Sequence, residues 1–300
     1  MNVLQLKNTV NAFFPTQVAG LESAGVRSTT RTVPGATRAR GPADYLRFLP
    51  TVAREGLTGR YDVVHANYGL VGPFAFTQPT RPVVVTLWGS DVMGEAWVRR
   101  VSTWAARRAD AVVAPSKPIA AAVDVETTLV PFGVDTDRFR PRPRAESRER
   151  VGWDPEETIA LFPYEADRPE KNYPLAETVA ERADADVTVK TVSDVPHDRM
   201  PDYFNASDLL LVTSRREGGP MVVKEAAACN VPVVSTDVGF VRDVLCDVSN
   251  SHVASSTREL VEAVDAVVEC GERADGRETI DVLSIEEMGA ALRDVYERVL

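Results

Sequence analysis

The sequence predicts an α/β protein with two doubly wound parallel sheets that face each other across a cleft. Short apolar runs alternate with amphipathic helical stretches along the 300 residues, which is the pattern of βα units. The alternation breaks once, in a stretch rich in proline and arginine (138–150), and then starts again. Because a typical domain has about 150 residues, we expect one domain on each side of this break.

The expected elements follow the chain in order. In the first half we expect strands at 2–6, 26–33, 62–66, 83–87, 111–114 and 128–131, and helices at 16–23, 43–55, 71–77 and 95–108. In the second half we expect strands at 158–162, 186–192, 209–213, 231–236 and 252–254, and helices at 173–183, 199–205, 220–229, 241–245 and 257–270. The expected organisation is a first domain (1–140), a linker (141–150), a second domain (151–284) and a closing helix (285–300).

Composition favours a cytoplasmic protein. No apolar run approaches the roughly 18 residues that cross a bilayer. The N-terminus has no basic leader followed by an apolar stretch, so we expect no secretory signal. Cys229, Cys246 and Cys270 show no CxxC spacing, which fits a reduced compartment and neither a disulfide framework nor a zinc site.

Charge is distributed unevenly along the chain. Residues 1–150 carry 20 basic and 13 acidic residues, a net charge of +7, whereas residues 151–300 carry 14 and 31, a net charge of −17. A basic half suggests an anionic partner, such as a membrane surface, a lipid phosphate or an acidic glycan, and we expect no nucleic-acid partner. The alternative is the acidic, lysine-poor composition of a halophile, since only 5 of the 34 basic residues are lysine.

The segment 208–239 carries the strongest chemical signal. A strand runs into a loop with Gly218 and Gly219, and Pro220 is expected at the first position of the next helix. Glycines let a diphosphate approach the backbone, and the free N–H groups of a first helical turn bind anions. Glu217 and Glu225 are eight residues apart, and such carboxylates can accept hydrogen bonds from sugar hydroxyls. The alternative is a glycine-rich corner with solvated carboxylates.

A second charged loop follows the first strand of the second half. It reads DRPEKN (167–172) and lies at the carboxyl end of that strand, where parallel sheets bind ligands. Arg168 and Lys171 are therefore candidates to stabilise the charge of a departing diphosphate. The alternative is an ordinary solvated loop.

Six segments, in order, resemble the family-4 retaining glycosyltransferases of GT-B fold. They are YDVVHAN (61–67), VVVTLWGSD (83–91), ADAVVAPS (109–116), LVPFGVDTDRF (129–139), DRPEKN (167–172) and YFNASDLLLVTSRREGGPMVVKEAAACNVPVVSTDVG (203–239). The resemblance covers nearly the whole chain. It implies a GT-B fold, a nucleoside-diphosphate sugar donor (a UDP-sugar is our guess), retention at the anomeric carbon, and no metal or other cofactor.

The resemblance also assigns roles to residues of the second half. Glu225 would bind the ribose, Glu217 the donor sugar, and Arg168 with Lys171 the diphosphate, so the implied catalytic group is Arg168, Lys171 and Glu217. Backbone groups from Gly218 to Met221 would hold sugar or phosphate oxygens. The implied donor-binding residues are Gly218, Gly219, Pro220, Met221 and Glu225.

The first half departs from the family pattern at two places. The family's motif His-Gly-Ser-Asp has Trp88 in place of its histidine here, with Asp91 as its aspartate. Its glycine-rich loop after the first strand is replaced by NTVNAFFP (8–15). An indole cannot accept a proton, so Trp88 would stack on a sugar face instead. His65 is a further acceptor-side candidate, and a structural role for it is equally open.

These observations lead to one main hypothesis and two alternatives. The main one is transfer of a sugar to a glycan or lipid-linked acceptor in the synthesis of cell-surface polysaccharide or glycoconjugate. The alternatives are a non-catalytic subunit that binds sugar nucleotides and a nucleotide-sugar 2-epimerase. Residues 95–108, with two tryptophans and four arginines, suggest peripheral contact with anionic lipid, or else tryptophans packed inward. A dehydrogenase is excluded because no G-x-G-x-x-G follows the first strand.

Overall fold

A computed structural model describes residues 1–8, 13–35, 40–217 and 219–300 of the chain. They form two compact units, Met1–Gly133 with Ile285–Leu300, and Val134–Ser284. Each unit is an α/β layer structure built on one parallel sheet. The predicted fold class is thereby confirmed as two parallel-sheet α/β domains.

The first unit contains a six-stranded sheet of order β2-β1-β3-β4-β5-β6. Its strands are β1 (Asn2–Lys7), β2 (Arg27–Thr32), β3 (Val63–Asn67), β4 (Val83–Thr86), β5 (Ala111–Ala114) and β6 (Thr128–Leu129). The helices that precede the second unit in the chain are α1 (Phe13–Ser23), α2 (Pro42–Thr58), α3 (Gly72–Ala75), α4 (Ser90–Met93), α5 (Ala96–Ala106) and α6 (Lys117–Ala121), with a 3₁₀ turn at Gly69–Val71.

The second unit contains a five-stranded sheet of order β11-β10-β9-β7-β8. Its strands are β7 (Ile159–Phe162), β8 (Thr188–Thr191), β9 (Leu209–Val212), β10 (Val233–Thr236) and β11 (His252–Ala254). Its helices are α7 (Arg144–Val151), α8 (Tyr173–Arg182), α9 (Met200–Ala206), α10 (Met221–Ala228), α11 (Val241–Leu245), α12 (Thr257–Cys270) and α13 (Gly276–Ile280), with 3₁₀ turns at His197–Arg199 and Asp281–Leu283.

The apolar runs form the buried strands because both faces of each sheet are covered by helices. β3, β4, β7 and β9 are buried along their whole length, as expected of central parallel strands. Every predicted strand overlaps an observed strand, with ends that agree within two residues. The carboxyl ends of parallel strands share one edge, so the loops that follow them are brought together there.

The stretch expected to be a linker (141–150) instead belongs to the second unit. Most of it forms α7, which packs on α9. Arg148 is 3% exposed and donates to the Ala206 carbonyl at 2.9 Å and to the Asp208 carboxylate at 2.7 Å. Polar contacts hold this helix, so apolar periodicity could not reveal it. The chain passes between the units at Gly133 and again at Ser284.

The closing helix α14 (Ile285–Val299) returns to the first unit and packs on α1. Two glycines make this crossing close, since a Cβ on Gly20 would collide with the Ile285 carbonyl and a Cβ on Gly289 with the Gly20 carbonyl. Tyr296 of α14 is fully buried against the sheet. The two ends of the described chain are therefore joined in one core.

Two compositional expectations concern cysteines and membrane spans. Cys229 is buried, Cys246 and Cys270 are exposed, and all three are free thiols.

Across the described ranges, none of the helices combines the length and the apolar character that a bilayer crossing requires.

Candidate active site

Two loops of the second unit meet at the carboxyl edge of its sheet. One loop (163–172) follows β7 and the other (213–220) follows β9, and these strands are direct parallel neighbours. The Arg215 N–H donates to the Glu170 carbonyl at 2.9 Å, and the Thr213 hydroxyl donates to the Lys171 carbonyl at 3.1 Å. The two motifs that the sequence singles out therefore lie side by side.

Lys171 is a buried cation at this edge. Its side chain is 7% exposed, and its ammonium forms an ion pair with Oε1 of Glu217. The Ser214 hydroxyl donates to the same oxygen at 2.8 Å, and Nζ lies 3.7 Å from the centroid of the Tyr164 ring. Burial lowers the pKa of Lys171, and the Glu217 carboxylate opposes that change. Two of the three predicted catalytic residues are thus in contact.

Arg168, the third predicted catalytic residue, pairs with a carboxylate of its own loop. Its guanidinium forms an ion pair with Glu170, with 2.9 Å between Nε and Oε1, and its side chain is 43% exposed. This hydrogen-bonded pair lowers the pKa of Glu170. Arg168 nevertheless lies close enough to Lys171 for its charge to contribute to the lowered pKa of that lysine.

The second loop enters α10 through Gly219 and Pro220. Gly219 has φ +154°, and a Cβ there would collide with the Phe240 ring, so the loop depends on a glycine at this position. Pro220 has extended backbone (φ −72°, ψ 108°) and precedes the helix, which begins at Met221, one residue later than predicted. Gly218 lies outside the described residues. In the first turn of α10 the Val223 N–H donates to the Pro220 carbonyl at 3.1 Å.

Glu225 lies one turn further along α10 and is only 6% exposed. Its Oε1 is 2.8 Å from Nε2 of His197, which belongs to the 3₁₀ turn after β8. This hydrogen bond raises the pKa of His197. The sequence does not reveal this contact, because the two residues are 28 positions apart along the chain.

Lys224 is a second buried lysine of this unit, and it was not among the predicted site residues. It is 1% exposed, its Nζ lies 4.5 Å from the Phe240 ring centroid, and burial lowers its pKa to about 7. The available signal was its position in the run VVKEAAA, where residues 223–228 are all buried. A lysine in such a buried run is notable because burying its charge costs free energy.

His65 of the first unit is fully buried, not on a cleft surface. It lies two residues before the end of β3, with Nδ1 at 2.7 Å from the Tyr296 hydroxyl and Nε2 at 2.6 Å from the Thr86 hydroxyl. Burial lowers its pKa to about 3. Both ring nitrogens are engaged, so this residue joins α14 to the sheet, and the structural alternative is the one that the contacts favour.

Asp91 is also buried and shapes the backbone of the first unit. It accepts hydrogen bonds at 2.9 Å from the N–H groups of Gly69, Trp88 and Gly89. Burial raises the pKa of its carboxyl, and these N–H groups oppose the change. Asp91 therefore fixes the loop that carries Trp88.

Trp88 is the acceptor-side candidate that reaches a cavity. Its ring packs on Phe132 with centroids 4.6 Å apart. The cavity, about 230 Å³ in volume, lies at the carboxyl ends of β1, β3 and β4. Its described lining residues are Lys7, Asn8, Phe14, Asn67, Tyr68, Trp88 and Ser90. Of the replaced loop (8–15), residues 9–12 lie outside the described residues.

Both halves of the chain match glycosyltransferase families. Residues 9–138 match the family described as Glycosyltransferase Family 4, and residues 166–278 match the family described as Glycosyl transferases group 1. The lipopolysaccharide core biosynthesis mannosyltransferase LpsB of Rhizobium meliloti is 29% identical over 256 residues, which are 70% of this chain and 72% of LpsB. A D-inositol 3-phosphate glycosyltransferase of Thermobispora bispora is 28% identical over 68% of this chain and 62% of its own length.

Solved structures agree in fold. Sucrose-phosphate synthase from Thermosynechococcus elongatus superposes with a TM-score of 0.82 at 16% identity, over 99% of this chain and 98% of that chain. Anabaena HepE, in complex with UDP and glucose, superposes with a TM-score of 0.78 at 17% identity, over 99% and 100% of the two chains. At these identities the likeness establishes the architecture alone.

We predict that the imidazoles of His65 and His197 titrate in different pH ranges. His65, with a pKa of about 3, stays neutral through the range in which an exposed histidine (about 6.5) charges. Its contribution to stability is therefore present above pH 6.5 and is lost as pH falls towards 3. The pKa of His197 is raised, so its contribution is present below pH 6.5 and is lost as pH rises through the folded pKa.

The measurement is NMR of the labelled imidazole rings between pH 5 and 9, with signals assigned by single His→Gln variants. The His65 signal should not move, and the His197 signal should titrate above pH 6.5. A His65 ring that titrates near pH 6.5 would contradict its buried, doubly bonded placement.

Proposed function

Because this chain belongs to the group 1, family 4 glycosyltransferases, we propose that its second unit binds a nucleoside-diphosphate sugar and that the enzyme transfers the sugar with retention. The observation that carries the proposal is the Lys171–Glu217 pair beside Glu225, at the carboxyl edge of a parallel sheet. The HepE structure, which holds UDP and glucose, supports a nucleotide-sugar donor, and UDP is our first choice of nucleotide. The protein would thus act as a glycosyltransferase in polysaccharide or glycoconjugate synthesis.

The proposed chemistry uses the charges of this edge. A donor diphosphate takes the Lys171 ammonium as its counter-ion, and Glu217, released from Lys171, accepts hydrogen bonds from sugar hydroxyls. The bond between the anomeric carbon and the diphosphate oxygen breaks, the diphosphate leaves with the electron pair, and Lys171 stabilises its charge. An acceptor hydroxyl forms the new bond on the same face and passes its proton to the departing diphosphate oxygen. Glu225 holds the ribose, and the N–H groups of Gly219 and Met221 donate to phosphate or sugar oxygens.

A second candidate is a subunit that binds sugar nucleotides without catalysis. Two observations favour it: Trp88 stands where the family has a histidine, and both nitrogens of His65 are engaged within the first unit. Slow hydrolysis of the donor distinguishes the two candidates, since an active transferase passes its sugar to water and a binding subunit does not.

The proposed acceptor is lipid-linked or a membrane glycan, reached by peripheral docking of the first unit. Trp97 and Trp104 lie seven residues apart on one face of α5 and are 58% and 44% exposed, so they are not packed inward. Four exposed arginines accompany them, and Arg108 lies over the Trp104 ring at 4.9 Å. The arginines of 138–150 belong to the second unit, which leaves the first unit with 16 basic and 13 acidic residues, a net charge of +3. Docking therefore depends on the tryptophans of α5 more than on the net charge of the first unit.

We predict that Glu225→Ala weakens donor binding and leaves the fold intact. Removal of a carboxylate that accepts ribose hydroxyls should cost about 1.5–3 kcal/mol, which is roughly 10- to 100-fold in Kd. Calorimetry with UDP, GDP and their sugar conjugates measures the change, after a thermal-shift screen has found the best ligand. Glu269→Ala, an exposed carboxylate on α12, is the control and should change nothing. Equal affinity in the folded Glu225→Ala protein would overturn this assignment.

We predict that Lys171→Ala lowers turnover by about 100-fold or more, because an electrostatic contact with the leaving group is lost. The control is Lys190→Ala, which removes another ion-paired lysine of the same unit and should retain activity. Circular dichroism checks that both variants fold. We also propose that no metal is needed, so EDTA should leave wild-type turnover unchanged. A strict requirement for Mg²⁺ would contradict this mechanism.

We predict that the wild-type protein co-sediments with anionic vesicles and that the double variant Trp97→Ala/Trp104→Ala does not. Each basic residue near an anionic surface contributes about 1 kcal/mol at low salt. At 1 M salt the Debye length falls to about 3 Å, so the binding that remains there should require the tryptophans. Leu46→Ala/Leu57→Ala, which removes exposed apolar side chains from α2, is the control. Wild-type protein that stays in the supernatant at every salt concentration would favour a soluble acceptor.

A further inference from the structure

The contact between His197 and Glu225 has no role in the chemistry above, although Glu225 is the proposed ribose carboxylate. Nε2 of His197 lies 2.8 Å from Oε1 of Glu225, and the side chains are 33% and 8% exposed. A histidine so placed holds a buried carboxylate in one orientation. The inference drawn from it rests on the proposed function, because it concerns how Glu225 meets a donor.

The core of the second unit fixes the His197 ring. Phe139, which is 1% exposed, packs against it with centroids 5.3 Å apart, and Phe139 in turn packs on buried Phe204 at 6.0 Å. The backbone around His197 is a hydrogen-bonded 3₁₀ turn, in which the Arg199 N–H donates to the Pro196 carbonyl at 2.9 Å. The imidazole is therefore a fixed donor rather than a mobile surface side chain.

The geometry leaves most of the Glu225 carboxylate available. An ionised carboxylate accepts at about four lone-pair positions, and His197 occupies one of them, on Oε1. Among the described residues, no side chain or N–H group donates to Oε2. A glutamate that is held by one oxygen loses the freedom to turn away, and its second oxygen is presented ready for a ligand.

We propose that His197 is a positioning residue that orients Glu225 to accept hydrogen bonds from the ribose hydroxyls of the donor. Through Glu225 it gives the site its preference for ribonucleotides over 2′-deoxyribonucleotides. A bound ribose donates to Oε2 while His197 continues to donate to Oε1, and no proton changes owner. When His197 is lost, the carboxylate can still reach the ribose but is no longer held in place, so the preference for ribose falls.

Calorimetry on four proteins tests this role: the wild type, His197→Leu, His197→Gln and Glu225→Ala. The ligands are UDP, GDP, ADP and CDP, each beside its 2′-deoxy form. The wild type should prefer the ribo form by about 10-fold for the nucleotide that it binds best. His197→Leu should reduce this preference to about 2-fold and bind the deoxy form as the wild type does. His197→Gln, whose amide N–H can donate to Oε1, should restore most of the preference.

Kinetics give a second readout, because a positioning role predicts a higher KM for the donor with little change in kcat. An unchanged ratio of ribo to deoxy affinity in folded His197→Leu overturns the positioning role while the proposed function stands. A general loss of affinity for both forms, not rescued by His197→Gln, indicates a purely structural histidine and also overturns it. If Glu225→Ala keeps the wild-type preference, or if the wild type binds none of the four ribonucleotides, the proposed donor site itself fails.

Discussion

The ion pair between Lys171 and Glu217 is the interaction on which the rest of the proposed donor site depends. A buried ammonium without a partner is costly, and losing one member of a buried pair typically costs several kcal/mol. The pair joins the loop after β7 to the loop after β9, and thereby fixes where α10 begins and where its buried Glu225 lies. Tyr164, stacked below the ammonium, and Ser214, bonded to the carboxylate, complete the enclosure.

Glu217 and Glu225 each have a basic partner in the structure. Lys171 holds Glu217 and His197 holds Glu225, so neither acid is left uncompensated at the sheet edge. In the proposed mechanism the two pairs behave differently: a diphosphate would compete for Lys171, whereas a ribose would bind Glu225 with His197 still in place. The buried polar groups of the first unit have a different role: His65 and Asp91 form hydrogen bonds that stabilise that unit itself.

The sequence predicted the two parallel sheets well because central strands, buried on both faces, appear in a single sequence as continuous apolar runs. It also identified the loops that carry Lys171 and Glu217, since parallel strands end at one edge. It could not predict that α7 is a helix, because arginine contacts to carbonyls and carboxylates hold it instead of an apolar face. Nor could it show that Arg168 pairs with Glu170 or that His197 reaches Glu225, because such contacts depend on side-chain directions that spacing does not encode.

The central claim is that a nucleoside-diphosphate sugar binds at the carboxyl edge of the second sheet, between the β7 and β9 loops and Glu225. The most direct test is a crystal structure of the protein with the nucleoside diphosphate that stabilises it most. We expect ribose hydroxyls within hydrogen-bond distance of the Glu225 carboxylate and a phosphate oxygen within reach of the Lys171 ammonium, which would then have left Glu217. A nucleotide bound elsewhere, with the Lys171–Glu217 pair intact and Glu225 untouched, would contradict the account.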